Sequence, residues 1–275
     1  MSTAQTILIS GCSSGIGRAL ALEFQRRGHR VIATARRPET LAELAAQGVR
    51  TAALDVDDMH SIAALAQQLA DEPLQLDLLI NNAGFGLMGP LLDISIDDTR
   101  RQFETNVIGL LAVTQALFPR LRRPGAAVVN IGSVSGVLTT PFSGAYCASK
   151  AAVHALSDAL RLELRPFGID VVTVQPGAIR SDFGATASRS AAVRETAGSR
   201  YAAIADAIAA RANASQQQST SAEAFARELA DGVLRPRRPG LLRIGHGSTA
   251  LPLLARLPLR LRDRLLSRRF KLDRL

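Results

Sequence analysis

Tyr146 and Lys150 stand four residues apart at the start of a segment with helical periodicity. That spacing puts both side chains on one helix face. A phenol with a pKa of about 10 is a poor acid/base at neutral pH, and a nearby ammonium stabilises its phenolate. Ser133 follows a strand pattern and is placed to hydrogen-bond a substrate oxygen. Asn106 falls inside a long helix pattern, where its amide can hold a local kink or a water leading towards Lys150. Singly, each residue is a weak signal, because a Tyr and a Lys at this spacing recur by chance.

A second chemical feature lies near the N-terminus, in Ser10-Gly11-Cys12-Ser13-Ser14-Gly15-Ile16-Gly17-Arg18 between a strand pattern and a helix pattern. Glycines allow a tight turn and a close approach of backbone to pyrophosphate, while a helix N-terminus offers N–H groups and partial positive charge. The spacing is Gly-x-x-x-Gly-x-Gly, which in this position points to a dinucleotide. The next strand pattern ends Thr34-Ala35-Arg36-Arg37. An acid there would bind the ribose 2′-hydroxyl of NAD. None is present, and a guanidinium at Arg36 suits a 2′-phosphate through paired charge-assisted bonds. NADP(H) is therefore the expected cofactor, the alternative being that Arg36 and Arg37 form a solvated loop pair.

The elements that must hold these residues alternate. Strand patterns cover Thr6–Ser10, Arg30–Thr34, Val49–Leu54, Leu76–Asn81, Ala126–Ile131, Ile169–Gln175 and Leu241–Ile244. Several are continuous apolar runs, as in strands buried on both faces. Helical periods cover Ile16–Arg27, Glu39–Gln47, Met59–Ala70, Asp97–Leu121 and Ala145–Arg165. The alternation predicts an α/β fold with a doubly wound, Rossmann-like parallel sheet, with ligands at the strand C-terminal edge. The chain has 275 residues and is 47 % hydrophobic, enough for one well-buried domain and short for two. One domain over 1–250 is expected, followed by a basic amphipathic tail over 251–275. Thr186–Thr220, with a helical stretch at Tyr201–Ala214, reads either as a substrate lid or as a surface excursion.

Taken together, the chain from Thr6 to about Phe183 resembles the short-chain dehydrogenase/reductase family, in its NADP-preferring branch. The matching residues stand in order: Gly11-x-x-x-Gly15-x-Gly17, Asp55, Asn81-Asn82-Ala83-Gly84, Asn106, Ser133, Tyr146-x-x-x-Lys150 and Pro176-Gly177. The resemblance implies hydride transfer between NADP(H) and a carbonyl or alcohol substrate, with Tyr146 as proton donor and Ser133 orienting the carbonyl. It gives Lys150 the nicotinamide ribose and the lowering of the Tyr146 pKa, and Asn106 a proton-relay water. It sets Ser13, Ser14 and Ile16 with the loop glycines at the cofactor, Asp55 and Val56 beside the adenine, and Asn82, Ala83 and Gly84 along the cofactor floor. Pro176, Gly177, Ile179 and Ser181 would contact the nicotinamide side. Ser10 and Ser181 stand where the family usually has Thr. The C-terminal third, which shapes the substrate pocket, carries no motif. The expected class is an enzyme acting on an apolar or lipid-like carbonyl. A non-catalytic NADP(H)-binding sensor or scaffold is the alternative, and the complete Asn–Ser–Tyr–Lys set argues against it.

Other residues divide between site and scaffold. Cys12 and Cys147 lie far apart, so neither a disulfide framework nor a metal site is expected. His154, two turns beyond Tyr146, reads as a packing residue. His246 reads either as part of the substrate mouth or as plain loop. Phe85, Leu87 and Met88 read as an apolar pocket wall or as loop packing. The resemblance implies a homodimer or homotetramer paired through the two long helices, against a monomer that uses them only to cover the sheet. The cytoplasm is the expected location, since the start of the chain has no secretory pattern and no apolar run approaches the ~18 residues of a membrane span.

The formal charge of +9 is unevenly placed. Twelve basic and two acidic residues fall between Arg235 and Leu275, so the body before them is close to neutral. The tail has one aromatic, Phe270, and no stacking platform, so no nucleic-acid partner is expected. Leu254, Leu257, Leu261 and Leu265 form a stripe flanked by Arg256, Arg260, Arg262, Arg264, Arg268 and Arg269. Pro252 and Pro258 leave one cleaner helix from about Leu259. The stripe either packs on the body or a partner subunit, or contacts an anionic membrane surface peripherally.

Overall fold

The computed structural model describes residues 4–180, 198–214 and 218–275. Seven short strands form one parallel sheet: β1 Thr6–Ile9, β2 Arg30–Ala35, β3 Arg50–Ala53, β4 Leu78–Asn81, β5 Ala127–Ile131, β6 Asp170–Pro176 and β7 Leu241–Ile244. Their order is β3-β2-β1-β4-β5-β6-β7, with every pair parallel. The central strands β1, β4 and β5 are buried at every residue, which is why they read as unbroken apolar runs. The order reverses between β1 and β4. Connections leave in opposite directions there and open a crevice at the strand C-terminal ends.

Helices cover both faces. On one side lie α1 (Gly15–Arg26), α2 (Ala42–Ala46) and, later in the chain, α8 (Ala222–Val233), burying Leu20, Phe24, Leu44, Phe225 and Leu229 against the sheet. On the other lie α3 (Met59–Ala70), α4 (Ile96–Phe103), α5 (Gly109–Leu117) and α6 (Gly144–Glu163). Ile62, Leu65 and Leu69 of α3 and Val113 and Leu117 of α5 fill that second core. Local chemistry starts several of these helices. Asp58 accepts from the His60 N–H at 2.9 Å, Ser95 from Asp98 N at 3.0 Å and Ser221 from Ala224 N at 3.1 Å.

Three expectations change. The continuous helix over Asp97–Leu121 is α4 and α5 separated by a π-helical turn, Glu104–Ile108, and it ends at Leu117. The Asn106 side chain bonds both backbone groups of Phe85 across that turn, so the wider coil carries a tertiary tie. The segment over Glu39–Gln47 begins as a 3-10 turn, Pro38–Leu41, before α2. α8 has no counterpart among the expected helices, although Ser221 and the period of Phe225, Ala226, Leu229, Ala230 and Val233 announce it.

Within the segment read as a lid, residues 181–197 and 215–217 lie outside the described residues, and so does Ser181. The rest forms a 3-10 turn, Ala202–Ile204, and α7 (Ala205–Ala212), shorter than the helical stretch read at Tyr201–Ala214. The tail forms α9 (Ala250–Leu254) and α10 (Leu259–Arg269), the latter starting just after Pro258 as expected. It is anchored at both ends: Pro252 is buried, and Phe270 and Leu272 pack with Phe142, Tyr201 and Ile204. Between the anchors, Leu259, Leu261 and Leu265 are 62 %, 45 % and 44 % exposed, so the stripe on α10 is not packed on the body.

Candidate active site

The loop after β1 is built by close approach. A Cβ on Gly17 would lie 2.2 Å from the Gly11 carbonyl oxygen, and Gly11 adopts φ +73° with Ala83 against it. Asn82 ties the same loop down, its amide donating to the carbonyls of Ser10 at 2.9 Å and Gly11 at 3.0 Å. Ser10 Oγ accepts in return from the backbone N–H groups of Asn82 and Ala83, both at 3.0 Å. The N-cap of α1, Ser14, makes no side-chain capping bond, so the first-turn N–H groups of Gly15, Ile16 and Gly17 face the crevice with the helix dipole behind them. Cys12 is fully buried in the same loop. Burial pushes its thiol up to about 12, which makes it a packing residue.

One cavity of about 1370 Å³ runs along the sheet edge from this loop. It is lined by Gly11, Ser13, Ser14, Gly15, Ile16 and Gly17 at one end and by Arg36, Asp55 and Val56 beyond β2 and β3. Asn82, Ala83 and Gly84 form its floor. Ser133, Tyr146, Lys150, Pro176, Gly177 and Ile179 line the far part. Arg36 is exposed just past the end of β2.

At the far end Tyr146 and Lys150 occupy the first turns of α6, both buried. Tyr146 and Ser133 line the same end of the cavity, and Lys150 Nζ lies 6.0 Å from the Tyr146 ring centroid. Lys150 donates to the Ile131 carbonyl at 2.7 Å, which fixes the ammonium beside the end of β5. Burial pushes the Tyr146 phenol up to about 12, opposed by the Ser133 hydrogen bond and the charge of Arg211. Burial brings Lys150 down to about 8.

Asn106 does not line the cavity; it sits behind it, fully buried. Its amide donates to Phe85 O at 3.0 Å and Ser149 Oγ at 3.1 Å, while Oδ1 accepts from Phe85 N at 3.0 Å. Both amide N–H groups are thus taken by protein. The kink reading of this residue matches the geometry, and Ser149 carries the tie onward to the Tyr146 carbonyl at 2.8 Å.

Several supporting residues surround this set, and of these Arg211 alone was not singled out by the sequence. His154 accepts from Ser133 N at 3.4 Å and packs under Gly132 and Gly136. Burial and the Lys150 charge push its imidazole down to about 4, so it is a neutral prop for the Ser133 turn. Arg211, on α7, lines the cavity near Tyr146. Met88, Phe85 and the exposed His246 also line the cavity, whereas Leu87 packs with Ile94 and Ala145 instead. Cys147, on α6 itself, is buried with its Sγ 3.3 Å from Ser143 Oγ.

Residues 5–192, more than half of the chain, match the family model described as short chain dehydrogenase. The chain belongs to the short-chain dehydrogenase/reductase family. It is thus an oxidoreductase of the class that uses a nicotinamide cofactor. Among relatives, the short-chain dehydrogenase ptmH of Penicillium ochrochloron is 38 % identical over 264 residues, covering 94 % of this chain and 95 % of that protein. The NADPH-dependent 1-acyldihydroxyacetone phosphate reductase of Schizosaccharomyces pombe is 37 % identical over 183 residues, 66 % of this chain and 62 % of that protein. A solved short-chain dehydrogenase from Streptomyces avermitilis superposes with a TM-score of 0.79 at 29 % identity, over 100 % of this chain and 98 % of its own. Another, from Burkholderia phymatum in complex with NAD, gives 0.77 at 27 % identity over 96 % and 95 %. The seven-stranded sheet and the loop after β1 are therefore those of a short-chain dehydrogenase/reductase.

Proposed function

We propose that this chain transfers hydride between NADP(H) and the carbonyl or alcohol carbon of an apolar or lipid-like substrate, with Tyr146 as acid/base. The observation that carries the reading is the meeting of Tyr146, Ser133 and the buried Lys150 at one end of a cavity that begins in the glycine loop after β1. The first-turn N–H groups of α1 suit a pyrophosphate, and Arg36, with Ala35 before it in place of an acid, suits a 2′-phosphate. The Schizosaccharomyces pombe relative is an NADPH-dependent reductase, whereas the Burkholderia structure holds NAD. The cofactor supplies the hydride. Tyr146 gives its proton to the carbonyl oxygen, Ser133 holds that oxygen in line, and Lys150 contributes the cation beside the phenol. Asn106, through Phe85 and Ser149, is a positioning residue. Met88, Leu138, Ile179 and Phe270 supply apolar walls.

The organisation into a body over 1–250 and a basic tail over 251–275, a cytoplasmic location, and pairing through α4, α5 and α6 into a dimer or tetramer all belong to the same reading. Outward apolar residues on those helices, Ile96 and Leu162 among them, support the pairing. Among the described residues no helix is long and apolar enough to cross a membrane.

The test is Tyr146→Phe. NADPH titration should give a Kd within about threefold of wild type, while turnover across a panel of aliphatic, steroid and acyl ketones falls by two or more orders of magnitude. A Tyr146→Phe protein with near-normal kcat would overturn the acid/base assignment. A wild type that binds NADPH and reduces nothing would favour the sensor reading.

A further inference from the structure

Arg211 is the least explained charge in the cavity. It sits in the last turn of α7 and lines the same space as Tyr146, Thr140 and Leu138. Its guanidinium is held by two neutral hydroxyls: Nε donates to Thr140 Oγ1 at 2.9 Å and Nη2 to Ser143 Oγ at 3.1 Å. Ser143 is fully buried and is itself tied to the Thr140 carbonyl at 3.0 Å, so the plane of the fork is fixed. Among the described residues no carboxylate pairs with Arg211, and none accepts from its Nη1. The acid nearest in sequence, Asp206, is taken by Lys271 from the tail. Arg269 and Lys271 stand on the lip of the same end.

A partly buried guanidinium without a counter-charge is costly, and burial pushes Arg211 below its ordinary pKa. Clamping Thr140 and Ser143 needs only a hydrogen-bond donor, not a charge. A planar fork with unused N–H groups facing a cavity is, by contrast, the usual receptor for carboxylate or phosphate oxygens. The apolar walls at Met88, Leu138 and Phe270 surround it.

We propose that Arg211 is an anion subsite of the substrate cavity, which selects carbonyl compounds carrying a carboxylate or phosphate group on an apolar chain. This rests on the oxidoreductase reading of the cavity but is tested apart from it. The NADP+-loaded protein is titrated calorimetrically with octanoate, octyl phosphate and octanol, none of which needs turnover. One or both anions should bind at least tenfold tighter than octanol, and which of them does identifies the group. Arg211→Met should abolish the preference without weakening octanol. Arg211→Gln, which keeps donors for Thr140 and Ser143, should do the same if the Met variant folds poorly. In turnover, Arg211→Gln should lower kcat/KM for 3-oxooctanoate at least tenfold, mainly through KM, and leave methyl 3-oxooctanoate within threefold. Equal binding of all three ligands to wild type, or an anion preference that survives both variants, would overturn the subsite. Equal loss of kcat on acid and ester would instead make Arg211 a support for Tyr146 and likewise overturn it. The Tyr146→Phe protein should retain the anion preference, so failure of the acid/base assignment leaves this result readable.

Discussion

On the proposed reading, Arg36 is the residue after the second strand that selects NADP(H) over NAD(H). It follows Ala35 and is exposed at the cavity edge, with no ion pair among the described residues. Its neighbour Arg37 faces Glu39 at 4.0 Å, both well exposed, a contact that solvent largely screens. With no ion pair of its own among the described residues, Arg36 is available to a phosphate dianion. An Ala35→Asp, Arg36→Ser double variant removes the fork and adds an acceptor for a 2′-hydroxyl. The ratio of kcat/KM for NADPH over NADH should then fall by about two orders of magnitude, given the strength of paired charge-assisted bonds. Steady-state kinetics with both cofactors check it, and a wild type that prefers NADH sinks the argument. At this scale the site was largely legible. Tyr146, Lys150 and Ser133 announce themselves because their roles depend on type and on short spacing. Arg211 does not, since it meets the cavity only after α7 folds over it, and His154 was legible as a packing residue but not as the support of the Ser133 turn.

Between residues and fold stand the elements, and here the loop after β1 is the most constrained. Gly17 lies in the first turn of α1 with the Gly11 carbonyl 2.2 Å from any added Cβ and the Asn82 amide 2.6 Å away. The obstruction is backbone on one side and a side chain already bonded to two carbonyls on the other. Neither can give way without opening the turn. Gly17→Ala should therefore cost about 1–3 kcal/mol of stability, the range for overpacking a tight contact, and weaken NADPH binding by tenfold or more. Differential scanning calorimetry and a fluorescence titration measure the two separately. An unchanged Kd would mean that the loop's approach to Asn82 does not shape the cofactor site. The glycine spacing made this loop readable in advance. The break between α4 and α5 was readable only as one of two roles for Asn106, a kink or a water, and the bonds to Phe85 from the floor loop favour the kink. α8 had a readable cap and period in Ser221 and Phe225, and so was legible in principle.

On the scale of the whole molecule, the doubly wound parallel sheet follows from the alternation of elements, but the tail does not follow from its pattern. The stripe of Leu254, Leu257, Leu261 and Leu265 is consistent with packing or with a membrane surface, and the structure divides it. Leu254 and Leu257 are half-buried, whereas Leu259, Leu261 and Leu265 on α10 are exposed between the anchors at Pro252 and Phe270. Arg260, Arg264, Arg268 and Arg269 are exposed around them. A short helix held at both ends, basic and with leucines outward, suits the headgroup region of an anionic bilayer. It also lies next to the cavity mouth, where Leu251, Arg269 and Phe270 line the opening. Contact there would deliver an amphiphile to the end of the cavity that holds Arg211. The prediction is that the protein sediments with vesicles of phosphatidylglycerol and phosphatidylcholine at low salt but not with phosphatidylcholine alone. Binding should weaken severalfold as ionic strength rises through the range where the Debye length shrinks below ~10 Å. Replacing Leu261 and Leu265 with Ser should weaken binding without lowering Tm, because neither side chain is packed in the isolated chain. If those leucines instead face a second copy, the same variant stays off vesicles only trivially, and light scattering shows its oligomer dissociating. Wild type that ignores anionic vesicles while the Leu261→Ser, Leu265→Ser variant loses a subunit would assign α10 to the subunit interface and remove the membrane from the account.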